Sequence, residues 1–319
     1  MPRTIRYAQL PTERPLPASR SLDQHSVEGV LRLMNRQDRT VPRAVAAAIP
    51  QIADTVRLIV NALRAGGRLW FIGAGTSGRL GVIEAAECPP TFNTPPELVR
   101  AMIAGGPNAV FTSIEGAEDQ ESSAKQAVTR HVRRGDVVVG IAASGVTPFV
   151  LAGLRAAHAR GARTILVTCH ATLTSAPSID VAIRAPVGPE VLTGSTRLKA
   201  GTATKLILNM LTVASMTRLG KVYGHWMVDV RPTSRKLRAR ALRIVQTLAG
   251  VPTARATELL RAADDHVKPA IVMGARGVDL AEAQRLLAEH HGHLRPLLSG
   301  NPRSKTRASR QAARVDAAS

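Results

Sequence analysis

Cysteine and aromatic side chains are scarce in this 319-residue chain, and lysine is nearly as rare. There are two cysteines, Cys88 and Cys169, and aromatic residues make up 3% of the total. Two cysteines exclude a disulfide framework, offer no metal-ligand spacing and suit a reducing compartment. The nine histidines supply no ligand set either: His290, His291 and His293 cluster without partners and read as a solvated polar face, so no metal is expected. With so few aromatics there is little on which bases can stack. That weighs against the nucleic-acid reading which a net charge of +20 invites, and so does the distribution of the charge, since 36 of the 43 basic residues are arginines spread through the chain. The charge favours small anionic substrates and solubility, with no specific nucleic acid as partner. Apolar runs near the roughly 18 residues that a membrane span needs are missing too. The first residues lack the apolar core of a signal peptide, which predicts a cytoplasmic protein with no membrane partner.

What the chain does have is enough apolar sequence for a core. Hydrophobic residues are 45% and charged residues 21%, as in ordinary globular proteins, and the length suits one large domain with an appendage. The most informative stretch is Arg68 to Pro90, RLWFIGAGTSGRLGVIEAAECPP. An apolar run ends in Gly73-Ala74-Gly75-Thr76-Ser77-Gly78, after which Leu80, Val82, Ile83 and Ala86 recur at helical spacing. The pattern is strand, tight loop, helix. Free N–H groups at the helix start, with the Thr76 and Ser77 hydroxyls, form a site for a phosphate or another anion. At the far end Glu87 precedes Cys88-Pro89-Pro90, which is expected to stop the helix. An anion cradle and a potential acid/base suggest a phosphorylated substrate held for proton chemistry. The same G-x-G-x-x-G pattern marks dinucleotide folds, but those want an acidic residue at the end of the second strand, and here that strand ends in Gly105-Gly106.

Further strands are predicted at 98–104, 136–143 and 163–169, with a weaker one at 181–187. Helices intervene at 121–132 and 148–159, and the alternation implies a parallel sheet. Ligands of such sheets gather at the carboxyl ends of the strands. A second hydroxyl-bearing loop falls there, Ser144-Gly145-Val146-Thr147-Pro148, which repeats the logic of the first; two such loops at neighbouring strand ends argue for a phosphate site over helix capping by Ser144 and Thr147 alone, and the two roles can coexist. Between the second and third strands, 114–121 (IEGAEDQE) carries four acids, either a solvated helix start or a source of one carboxylate facing the pocket opposite Glu87. The polar loop 194–199, with Ser195 and Lys199, leads into an apolar helix at about 203–219 and reads as a pocket wall. One short helix from Ser26 and one long helix over 42–65 precede the sheet; from Ser234 onward the pattern is purely helical, with Asp279 and Glu282 fitting a capping box.

Taken together, FIGAGTSGRLGVIEAAECPPTF, IEGAEDQ, GIAASGVTP and VLTGSTRLKAGTATKLILNML resemble the N-acetylmuramic acid 6-phosphate etherases of the sugar-isomerase (SIS) superfamily, in the same order from about Ser26 to Leu298. The resemblance implies an α/β fold, a three-layer SIS domain with a parallel sheet, and a small C-terminal helical domain similar to ubiquitin-associated folds. The boundaries drawn are an N-terminal extension (1–25), N-terminal helices (26–66), the SIS phosphosugar-binding catalytic domain (67–232), the helical domain (233–298) and a basic flexible tail (299–319). It also implies a homodimer without cofactor that cleaves the D-lactyl ether of N-acetylmuramic acid 6-phosphate, giving N-acetylglucosamine 6-phosphate and D-lactate. Carried over, the catalytic glutamates fall on Glu87 and Glu118, and the phosphate-binding hydroxyls on Ser77, Ser144 and Thr147. Gly75, Thr76, Gly145, Ser195 and Lys199 complete the expected substrate contacts. In the open-chain sugar the aldehyde acidifies the C2 hydrogen, so Glu118 is assigned as the C2 base and Glu87 as the acid that protonates departing lactate. Where the family reads ASGRTPY this chain has Val146 and Phe149, which bears on affinity or substrate preference. A phosphosugar-sensing SIS regulator is the alternative function; retention of both Glu87 and Glu118 argues for catalysis.

Overall fold

The structure is a computed structural model that describes residues 10–172 and 176–299. The basic residues Arg303 to Arg314 of the expected tail lie outside the described residues, as do residues 1–9. The chain divides into two compact units, one formed by residues up to Glu87 with Pro95–Ser215, the other by Cys88–Thr94 with the chain from Met216 onward.

In the first unit the N-terminal extension makes three 3-10 turns, at Pro11–Glu13, Pro17–Ser19 and Leu22–Gln24. Helix α1 (Val27–Asp38) starts where the Ser26 hydroxyl accepts the Gly29 N–H at 3.1 Å. The one helix expected over 42–65 is two, α2 (Val41–Ala47) and α3 (Ile49–Arg64). Pro50 is the reason: it has no N–H and would clash with the preceding turn, so it is accommodated only at the start of a new helix.

Strands and helices then alternate as β1 (Leu69–Gly73), α4 (Gly75–Phe92), β2 (Val99–Ile103), α5 (Glu121–His131), β3 (Val137–Ile141), α6 (Pro148–Ala159), β4 (Arg163–Thr168) and β5 (Val181–Arg184). All five strands are parallel, in the order β2-β1-β3-β4-β5. Every residue of β1 and β3 is buried, as expected of central strands covered on both faces. Gly73 lies opposite both Ile103 and Ile141, so β1, β2 and β3 end level and the loops that follow them emerge side by side. At the other edge Asp136, which is fully buried, accepts the Arg68 backbone N–H at 2.9 Å, the Arg68 guanidinium at 2.8 Å, the Trp70 indole N–H at 3.2 Å and the Arg133 backbone N–H at 3.0 Å.

Helix α7 (Lys199–Arg218) starts earlier than its apolar stripe suggests. The buried Glu190 carboxylate accepts the N–H groups of Lys199 at 3.1 Å and Ala200 at 2.9 Å, which extends the helix back through the polar residues. Burial pushes the Glu190 pKa up, against the pull of those two N–H groups and of Lys199.

Helix α4 also outruns its sequence signal. Pro89 and Pro90 lie inside its last turn, and the chain leaves the helix only at Asn93, whose φ is 50° and whose N–H still reaches the Pro89 carbonyl at 2.8 Å. Proline's fixed φ is helical, so two missing donors near a helix end weaken the turn without breaking it.

The second unit holds a hairpin of β6 (Val222–Tyr223) and β7 (Trp226–Met227), then α8 (Arg235–Ala249), α9 (Thr253–Ala262), α10 (Val267–Arg276), α11 (Leu280–Glu289) and α12 (Arg295–Leu298). Their apolar faces share a core that includes Ile244, Val245, Ile271 and Val272. Asp279 caps α11 by accepting the Glu282 N–H at 2.9 Å, while the Glu282 carboxylate turns to Arg285 instead of closing a capping box. Lys268 is held by the carbonyls of Gly220 and Gly292 and by Asp229 at 3.0 Å; burial pushes its pKa down against that attraction. Among the described residues no single helix is long and apolar enough to cross a membrane.

Candidate active site

The level carboxyl ends of β1 and β3 open into a cleft of about 410 Å³ in the first unit. Ser77, from the first turn of α4, lines it together with Ser144 and Thr147, from the loop that opens α6. Thr147 sits at the N-cap position of α6 but its side chain makes no capping bond, while among the described residues the Ser144 hydroxyl accepts only the Val146 N–H, at 3.3 Å. The Thr147 hydroxyl is therefore not consumed by the helix. Two helix N-termini at one space, with three hydroxyls, can hold a dianion, and among the described residues no lysine or arginine lines the cleft.

Close packing explains the glycine loop better than turning does. A Cβ on Gly73 would stand 2.6 Å from the Gly78 nitrogen and 2.8 Å from the Ser77 carbonyl carbon, both backbone atoms that cannot move without moving the first turn of α4. Gly75, with φ +52°, is the position that uses a backbone conformation side chains disfavour. Gly73→Ala is expected to push α4 off β1, lower stability by about 2 kcal/mol and weaken inorganic phosphate binding in the same variant. Denaturant midpoints and phosphate titration calorimetry check both.

Glu118 reaches the same cleft. It stands on a 3-10 turn, Ala117–Asp119, entered through Gly116 in the left-handed region and anchored by the buried Ala117. Arg79 of α4 fixes the approach of that turn by donating to the carbonyls of Val110 at 2.9 Å and Thr112 at 3.2 Å. Gly75, Arg79 and Glu118 also border a smaller adjoining recess of about 110 Å³.

The other predicted residues fall elsewhere. Thr76 points its methyl toward Gly201 at the start of α7, and Gly145, at φ +79°, shapes the turn between Ser144 and Val146 without lining the cleft. Ser195 is half-buried outside the lining, although its neighbours Gly194 and Thr196 belong to it. Lys199 is 2% exposed and donates to Gln37 Oε1 at 3.0 Å, and burial pushes its pKa down. Glu87 is exposed on α4, ten residues beyond Ser77 and so about 15 Å further along the helix axis. It lines neither the cleft nor the recess that Glu118 borders. Of the two departures, Val146 lines the cleft and Phe149 is buried away from it.

Among the lining residues, Asp119, next to Glu118, was not singled out by the sequence, and Leu10, Thr12 and Glu13 from the N-terminal extension escaped it. Asp119 had a local signal in the acidic run. Thr12 and Glu13 had none, because their proximity to the sheet edge is purely tertiary.

A five-stranded parallel sheet with paired hydroxyl loops at its carboxyl edge is the arrangement of an SIS domain. The description of the SIS domain matches residues 117–214, and that of the glucokinase regulatory protein N-terminal SIS domain matches residues 51–158. The N-acetylmuramic acid 6-phosphate etherase of Streptomyces avermitilis is 50% identical over 295 residues, covering 92% of this chain and 95% of the relative. That of Rhodopirellula baltica is 46% identical over 292 residues, 91% of this chain and 97% of the relative. Among solved structures, phosphoheptose isomerase GmhA from Neisseria gonorrhoeae is 18% identical with a TM-score of 0.43, over 59% of this chain and 97% of that one. The chain belongs to the N-acetylmuramic acid 6-phosphate etherase family.

Proposed function

We propose that this protein cleaves the D-lactyl ether of N-acetylmuramic acid 6-phosphate, a phosphosugar, to N-acetylglucosamine 6-phosphate and D-lactate. The observation that carries the reading is the convergence of Ser77, Ser144, Thr147 and Glu118 on one cleft. The phosphate takes the hydroxyls and helix N-termini. Glu118 removes the C2 proton of the open-chain aldehyde; the electron pair forms the C2–C3 double bond as the C3–O bond breaks, and the departing lactate oxygen takes a proton from Glu87. Water then adds its oxygen to C3, giving up a proton to Glu87, and Glu118 returns a proton to C2, so both carboxyl groups end as they began. We place this chemistry in the cytoplasm, in agreement with the sparse cysteine content.

Glu87 serves this scheme only if a second subunit supplies it. Ile83, one turn before Glu87, is 53% exposed, and on α7 Met210 is 38% and Val213 50% exposed. The two helices are joined through Glu84, which accepts from Asn209 at 2.7 Å and from Thr212. An apolar face of this kind fits an isologous dimer, in which the Glu87 of each chain completes the cleft of the other. The test of the function is D-lactate release from N-acetylmuramic acid 6-phosphate by the purified protein. Release is expected; a protein that binds the phosphosugar without releasing lactate would be a sensor instead.

A further inference from the structure

The N-terminal extension brings to the cleft a carboxylate, Glu13, that neither the acid nor the base role employs. Leu10 is 8% exposed and Thr12 5%, so both are buried, and they pin the turn Pro11–Glu13 with Glu13 turned into the lining. Glu13 Oε1 accepts the Thr12 hydroxyl at 3.1 Å. On the other side the loop at Gly194 comes so close that a Cβ there would lie 3.0 Å from Glu13 Oε2. Among the described residues Glu13 forms no ion pair, although Arg14 and Arg20 are near in sequence. Glu13 is exposed, so water solvates its carboxylate in the open cleft; without a counter-cation, beside the hydroxyls of Ser77, Ser144 and Thr147, it repels a second anion. When a ligand displaces that water, the carboxylate is matched only by a part of it that carries hydrogen-bond donors and no negative charge. A sugar phosphate has that polarity, with a dianion at one end and hydroxyl and amide donors along the carbon chain.

We propose that Glu13 is a specificity-determining residue that accepts hydrogen bonds from the hydroxyl or amide N–H groups of the bound sugar. This rests on the phosphosugar reading above and extends it. It makes the N-terminal segment part of the site, held by Leu10 and Thr12 and kept in contact with the 194–196 loop by the missing side chain of Gly194. The bonds are charge-assisted, so they contribute more than neutral ones. They also discriminate, because an analogue that lacks the donors leaves the carboxylate desolvated and unpaired.

The test compares two ligands on the full-length protein by titration calorimetry. N-acetylglucosamine 6-phosphate carries phosphate and donors; inorganic phosphate carries the phosphate alone. Glu13→Ala is expected to weaken the sugar phosphate roughly 10-fold or more while inorganic phosphate binds as well as before, or more tightly once the repulsion is gone. Glu13→Gln, which keeps the shape and one weaker acceptor, is expected to fall between Glu13→Ala and wild type. Equal weakening of both ligands would mean that the segment only supports the fold of the cleft, and unchanged affinity for both would mean that Glu13 touches no ligand; either overturns the proposal. If wild type binds inorganic phosphate but not the sugar phosphate, the phosphosugar reading itself fails and takes the Glu13 role with it.

Discussion

Mixing two inactive variants is expected to restore activity. Glu118→Ala and Glu87→Ala should each lower D-lactate release by about 10²- to 10⁴-fold, the usual worth of a positioned acid or base. Each removes one carboxylate from every site. If Glu87 acts across a two-fold axis, a mixed dimer contains one site with both residues altered and one with both intact. Equal amounts of the two variants, refolded together or co-expressed, then recover about a quarter of wild-type activity, since half the dimers are mixed and half their sites are complete. If one chain supplied both carboxylates, every site in every dimer would stay broken and nothing would return. Native mass spectrometry of the mixture establishes that mixed dimers are present, so absence of recovery counts against the composite site. Recovery also fixes the geometry that separates Glu87 from Ser77 along α4 as a property of the working enzyme.

The largest loss of stability is expected at Asp136. Its carboxylate is fully buried and gathers the Arg68 guanidinium, the Trp70 indole and the backbone N–H groups of Arg68 and Arg133. Asp136→Ala leaves the Trp70 indole and the backbone N–H groups of Arg68 and Arg133 without this acceptor, and the Arg68 guanidinium, which keeps the His131 carbonyl at 2.6 Å, without its counter-charge. Breaking a buried pair from one side in this way costs about 3–5 kcal/mol. Asp136→Asn, which preserves shape and one acceptor oxygen, is expected to lose less than Asp136→Ala. Urea titration followed by Trp70 fluorescence in a Trp226→Phe background reports the unit that contains Asp136, with a lower midpoint at unchanged slope as the expected result. A shift below about 1 kcal/mol would return Asp136 to the rank of a surface ion pair.

The alternation of apolar runs and helical stripes made the sheet legible, because strand and helix periodicities are written in consecutive residues. Ser77, Ser144 and Thr147 were legible for the same reason: each follows a buried strand directly, and the carboxyl end of a parallel strand is where a ligand can be reached. Helix limits were less so. The start of α7 depends on Glu190, nine residues upstream, and the persistence of α4 through Pro89 and Pro90 runs against the local signal. Lys199 shows why side-chain roles are harder still. A basic residue before an apolar helix has the same local signature whether it faces a cleft or, as here, lies buried against Gln37.

By itself, then, the sequence determined the parallel α/β core, the two hydroxyl-bearing loops at its strand ends and the acidic run between the second and third strands, since each is a local pattern whose physics acts within some 20 residues. Only the tertiary structure decided which carboxylates share a cleft. Glu13 and Glu118 are separated by more than a hundred residues and line the same space, whereas Glu87 stands about 15 Å along a helix from Ser77. The cause is the rigidity of that helix: it carries Glu87 away from the loop that begins it, while level strand ends and a buried N-terminal anchor draw remote side chains together.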